Sequence, residues 1–105
     1  MKILFDQGVP LPLREELAGL ETTTAYREGW SNLGNGELLA AAEKAGIAVL
    51  LTTDQNLRYQ QNLKGRRIAI VVLPTTRWPD IRLHAGKIRE ALNETKAGDY
   101  RELVW

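Results

Sequence analysis

The segment Ile47-Ala48-Val49-Leu50-Leu51 is apolar at every position and then gives way to Thr52-Thr53-Asp54-Gln55-Asn56. A strand buried on both faces reads this way, because helices cover both sides of a parallel sheet and leave no position facing water. The same grammar recurs at Ile3-Leu4-Phe5, which runs into Asp6-Gln7-Gly8, and at Ile68 to Leu73, which is closed by Pro74. Thr22 to Tyr26 is rich in β-branched residues and reads as a further strand. Tyr100 to Trp105 reads as a last one, at a sheet edge.

Helical patterns separate these runs. Pro10 and Pro12 stand where a helix begins, and Leu11, Leu13, Leu17 and Leu20 give it an apolar face up to Gly19. Arg27 to Gly34 reads as a loop. Asn35 fits an N-cap, Glu37 a first turn, and Leu38 to Ala45 an alanine-rich helix stopped by Gly46. A short helix is expected over Leu57 to Leu63, and a longer one over Asp80 to Asn93 with Ile81, His84, Ala85, Ile88 and Leu92 on one face. Strands alternating with helices predict a three-layer α/β/α sandwich around a mostly parallel, twisted sheet of four to five strands. At 105 residues the chain reads as a single domain over 1–105.

Composition narrows the chemistry. No run approaches the roughly 20 apolar residues that span a bilayer, and no leader pattern opens the chain, so a cytoplasmic protein without a membrane partner is expected. The chain has no cysteine and a single histidine, His84, which excludes thiolate zinc, iron–sulfur clusters and His-rich metal sites. A protein-bound metal would need oxygen ligands, which points to magnesium or manganese, as one or two ions. The net charge of +1 gives no general attraction to nucleic acid. The run Arg58, Lys64, Arg66 and Arg67 is either a local phosphate-binding patch or a solvated basic surface.

A parallel sheet gathers the residues after its strands at one edge, where these folds place ligands. Asp6 and Asp54 are therefore candidate metal-binding and catalytic carboxylates, although each also suits a turn or a helix cap. Glu37 joins them, with the competing reading that a first-turn acid is stabilised by the helix dipole. Arg27, Asn35, Asn56, Arg66 and Arg67 are candidate substrate-binding residues. Gln60, Gln61 and Asn62 add an amide-rich run for substrate contact or solvation. Trp30 and Trp78 suit base stacking or the covering of a small core, and His84 suits packing on the apolar face of its helix.

The ordered motifs Leu4-Phe5-Asp6-Gln7-Gly8-Val9-Pro10, Asn35-Gly36-Glu37-Leu38-Leu39 and Thr52-Thr53-Asp54-Gln55-Asn56-Leu57 resemble a small branch of the PIN-like (PilT N-terminus) domains. The resemblance runs from residue 1 to about Leu73. It implies a metal-dependent ribonuclease acting on RNA, with Asp6, Glu37 and Asp54 around the ion. It also implies the toxin half of a bacterial toxin–antitoxin pair, held by a small antitoxin protein, and a homodimer is a further expected partner. Asn35 and Asn56 stand where many members carry acids or an Asp-Phe pair, and each Asn keeps an oxygen ligand while removing a negative charge. The alternative that this implies is a degenerate PIN-like domain that binds RNA or a protein without cleaving.

Overall fold

The computed structural model describes residues 1–60 and 62–105. Its apolar runs form β1 (Lys2–Phe5), β3 (Val49–Thr52) and β4 (Ala69–Val72), and all but Lys2 among these residues are buried. Two further strands, β2 (Glu21–Thr24) and β5 (Tyr100–Glu102), carry polar residues and occupy the edges. The five strands pair in the order β2-β1-β3-β4-β5, and every pairing is parallel. The expected α/β class is thus found, with an entirely parallel sheet.

Side chains alternate across the sheet as the two-residue strand period requires. Ile3, Phe5, Val49, Leu51, Ala69 and Val71 face one layer, formed by α1 (Leu13–Glu16), α5 (Trp78–Leu83) and α6 (Ala85–Glu94). Leu4, Leu50, Ile70 and Val72 face the other, formed by α2 (Ala25–Glu28), α3 (Asn35–Lys44) and α4 (Leu57–Gln60). Two cores back to back on one sheet make the three-layer sandwich. Among the described residues no helix is long and apolar enough to cross a membrane.

Several boundaries differ from the sequence pattern, each for a local reason. The helix expected from Pro10 to Gly19 shortens to α1, because Leu13, Arg14 and Glu15 donate to the carbonyls of Pro10, Leu11 and Pro12 in three-residue turns. The strand expected to reach Tyr26 stops at Thr24, whose hydroxyl accepts the Arg27 N–H at 3.0 Å and caps α2. That helix ends at Gly29 in the left-handed conformation with φ 80°, so Arg27 lies on a helical turn and not in a loop. The long C-terminal helix divides at His84, which closes α5 and opens α6. Trp78 begins α5 and packs against the core. The helix expected to reach Leu63 is found as Leu57–Gln60, and Gln61 lies outside the described residues.

The edge of the sheet where the strands begin is locked by an ion pair. Arg66 Nη1 lies 2.6 Å from Glu43 Oε1, and the Arg67 N–H donates to Glu43 Oε2 at 2.8 Å. Together they tie the last turn of α3 to the segment entering β4. Burial opposes the Glu43 charge, but the Arg67 N–H, the Arg66 guanidinium and the Ile68 N–H outweigh it and hold the carboxyl below its ordinary range. A depressed carboxyl contributes stability above its unfolded value and loses it as pH falls through the folded one. Glu43→Gln should therefore be less stable than wild type at pH 7, and the gap should close as pH drops below about 4. Urea titrations at both pH values check this; a gap that persists in acid would show that the charge is not the cause.

Candidate functional site

The strand order reverses between β1 and β3: β1 leads outward to β2, whereas β3 leads to β4 and β5. In open α/β sheets the crevice outside the carboxyl ends at such a point is where ligands bind. Asp6 leaves β1 there, and Thr52, Thr53 and Asp54 leave β3 beside it. The Asp6 N–H still donates to Leu51 O at 2.9 Å, which fixes the two exits against each other.

Thr52 is the junction of the site. Fully buried, its hydroxyl donates to Asp6 Oδ2 at 2.8 Å and accepts the Asp54 N–H at 3.1 Å. Asp6 Oδ1 accepts the Gln7 N–H at 2.8 Å. Asp54 Oδ2 accepts from Asn35 Nδ2 at 3.0 Å, and Asp54 Oδ1 accepts the Asn56 N–H at 2.9 Å. Each of these carboxylate oxygens thus receives one neutral donor and keeps a second lone pair. Among the described residues neither Asp6 nor Asp54 has a cationic partner within salt-bridge distance.

The N-cap of α3 is Gly34, one residue before the position read from sequence. Asn35 thereby becomes the first helical residue, and its side chain reaches Asp54 instead of capping its own helix. Glu37 Oε1 accepts the Gly34 N–H at 3.2 Å, one half of a capping box whose return bond a glycine cannot make. The structure therefore joins Asp6 and Asp54 through Thr52 and adds Asn35, while Glu37 is engaged at its own helix start. Among the described residues no group of three or more Asp, Glu, His or Cys side chains is arranged to hold a metal ion. Asn56 contributes its backbone N–H to Asp54 and is exposed.

The basic residues divide between the two edges. Arg27 on α2 lies at the carboxyl edge, exposed, with no side-chain partner among the described residues. Arg66 and Arg67 precede β4 at the opposite edge, engaged with Glu43, and the structure does not bring them to Asp6 and Asp54. Arg58 on α4 pairs with Glu102 at 3.7 Å and lies over the Tyr59 ring, 4.6 Å from its centroid. Glu102 also accepts from Tyr100, whose hydroxyl is pushed up to about 12, first by burial and then by this bond. Trp30 packs against the core beside α2 and α3. His84 stacks on Trp105 at 4.5 Å, with Nδ1 2.8 Å from Asp80 O, a packing role.

Further polar residues build the site without having been singled out. Gln7 Nε2 donates to Ser31 O at 2.8 Å, and Gln55 Nε2 donates to Leu73 O, bracing the loops after β1 and β3. Gly8 passes so close to Thr53 that an added Cβ would stand 2.2 Å from its Oγ1. A polar residue ending an otherwise apolar strand was the available signal for Thr52.

Comparison with protein-family models, with curated proteins and with solved structures finds no match to this chain.

Two substitutions test the junction. Thr52→Val keeps the shape and removes the hydroxyl, so it should cost about 1–2 kcal/mol in urea unfolding. Thr52→Ser, which keeps the hydroxyl, should cost about 1 kcal/mol for the lost methyl; equal stability of Thr52→Val and wild type would refute the bridge. Gly8→Ala should destabilise alone, yet cost less than about 0.5 kcal/mol in a Thr53→Ala background. There the nearest remaining Thr53 atom, Cβ, is at 3.5 Å, an ordinary contact. Additive losses would place the strain elsewhere.

Proposed function

We propose that this chain is a divalent-metal-dependent ribonuclease centred on Asp6 and Asp54. The observation that carries the reading is the pair of carboxylates at the switch point, oriented by neutral donors and, among the described residues, without a cationic partner. Magnesium and manganese accept such a donor set, since they commonly bind through one or two carboxylates, retained waters and substrate phosphates. The PIN-like resemblance of the ordered motifs points the same way.

In this reading Asp6 and Asp54 hold the ion, and Glu37 stands near the start of α3 as a further acid. A bound ion would supply the charge that activates water and offsets the leaving oxygen in phosphodiester hydrolysis. Thr52 keeps the Asp6 carboxylate and the Asp54 backbone in one geometry, so no reorganisation is needed when substrate arrives. Asn35 holds the Asp54 carboxylate in one rotamer. Arg27, whose guanidinium has no partner among the described residues, binds a flanking phosphate through its planar fork.

Cleavage of single-stranded RNA with magnesium should fall by at least about a hundredfold in Asp6→Asn and in Asp54→Asn. Equal activity in wild type and both variants would end the mechanism. The second reading, a module that binds without cutting, draws on the Asn35 amide at Asp54 where a third acid would add charge. Calorimetry separates the two: millimolar manganese with neither heat nor a thermal shift favours the binding module.

A further inference from the structure

Asparagine followed by glycine occurs once in this chain, at Asn35-Gly36; the other asparagines precede Leu33, Leu57, Leu63 and Glu94. The pair opens α3, with the Asn35 amide nitrogen 3.0 Å from Asp54 Oδ2. We propose that Asn35 is a modification site: loss of its side-chain amide as ammonia places a new carboxylate beside Asp54 and tightens the divalent-metal site. The inference rests on the metal-binding reading of Asp6 and Asp54 and adds a step that sets the affinity of that centre.

The chemistry needs only water. The Gly36 backbone nitrogen attacks Asn35 Cγ, a new N–Cγ bond closes a cyclic imide, and the amide group departs with the Gly36 proton as ammonia. Water then opens the imide. Cleavage of the N–Cγ bond gives an aspartyl residue on the original backbone. Cleavage of the other acyl–nitrogen bond gives an isoaspartyl chain, lengthened by a methylene group. Glycine favours the closure because it has no Cβ to hinder the attack and its backbone is permissive.

The start of α3 leaves this route open. The first intrahelical bond runs from Leu38 N–H to Gly34 O at 2.8 Å. The Gly36 N–H therefore belongs to the first donors of the helix, which have no carbonyl partner within it. Asn35 is the first residue of α3, so bringing its Cγ to the Gly36 nitrogen unwinds a terminus that frays, not the body of the helix. The product charge lies in a first helical turn, where the macrodipole favours an anion.

Position decides what the charge does. A carboxylate at residue 35 stands where the amide now donates, against an Asp54 oxygen that it cannot hydrogen-bond. Without metal the two repel, and a divalent ion between them turns the repulsion into coordination. The modification thus lowers stability in chelator and enlarges the response to metal. An acid added on a solvated surface would do neither.

The test ages the whole protein at mildly alkaline pH and follows it by peptide mass spectrometry. Fragmentation should place a gain of about 1 Da, NH2 exchanged for OH, on residue 35 before any at Asn32, Asn56, Asn62 or Asn93. Gly36→Ala should gain it far more slowly. Asn35→Asp, which builds the aspartyl product directly, should melt below wild type in chelator and bind manganese at least about tenfold tighter by calorimetry. No gain at residue 35, an equal rate in Gly36→Ala, or equal manganese affinity in wild type and Asn35→Asp overturns the proposal. Manganese bound by wild type without any mass gain would end the modification and leave the metal centre standing. A mass gain with manganese bound by neither protein would end the metal centre itself.

Discussion

Burial of the central strand is the constraint from which the site follows. β3 is hydrogen-bonded on both edges and covered on both faces, so all four of its residues are buried. Such a strand has no side for a polar group except its ends. Thr52 is the last of the four, and its hydroxyl cannot remain unpaired at that depth without a penalty of about 1–3 kcal/mol. The neighbours that satisfy it are the Asp6 carboxylate and the Asp54 N–H. The same demand that ends the strand thus brings two acids from distant parts of the sequence to one hydroxyl.

The sheet was legible in the sequence because its inner strands are apolar without alternation. Runs around Ile3, Leu50 and Ile70 are too short for a buried helix and are each followed by turn residues, which leaves a strand covered on both sides. Where a short side chain decides between backbone states, the pattern was harder to read. Thr22 to Tyr26 looks like one β-branched strand, yet the Thr24 hydroxyl closes on the Arg27 N–H and turns the chain into helix. The face from Ile81 to Leu92 has one helical period, which carries no sign that His84 interrupts it while stacking on Trp105.

At the site, Asp6 and Asp54 were legible from their place after apolar runs, since the edge of a parallel sheet follows from chain direction alone. The environment of Asn35 was not. A one-residue shift of the helix start to Gly34 changes its side chain from a cap to a partner for Asp54, and helix boundaries are uncertain by that much from any pattern. The basic residues show the converse. Arg66 and Arg67 attract notice as a pair, but they precede a strand, and direction places them at the far edge with Glu43.

The two edges treat carboxylates in opposite ways, and the contrast argues for a function at one of them. Glu43 receives a guanidinium and backbone N–H groups, so its charge is compensated within the fold and serves to hold α3 against β4. Asp6 and Asp54 receive a hydroxyl, an amide and backbone N–H groups, which orient a carboxylate without cancelling its charge. A purely structural role would be served better by a cation such as the one Glu43 has, whereas Arg27, exposed at the same edge, has no side-chain partner among the described residues. On the proposed reading, the oriented oxygens of Asp6 and Asp54 would meet a cation and the exposed guanidinium of Arg27, at the same edge of the sheet, would meet a phosphate.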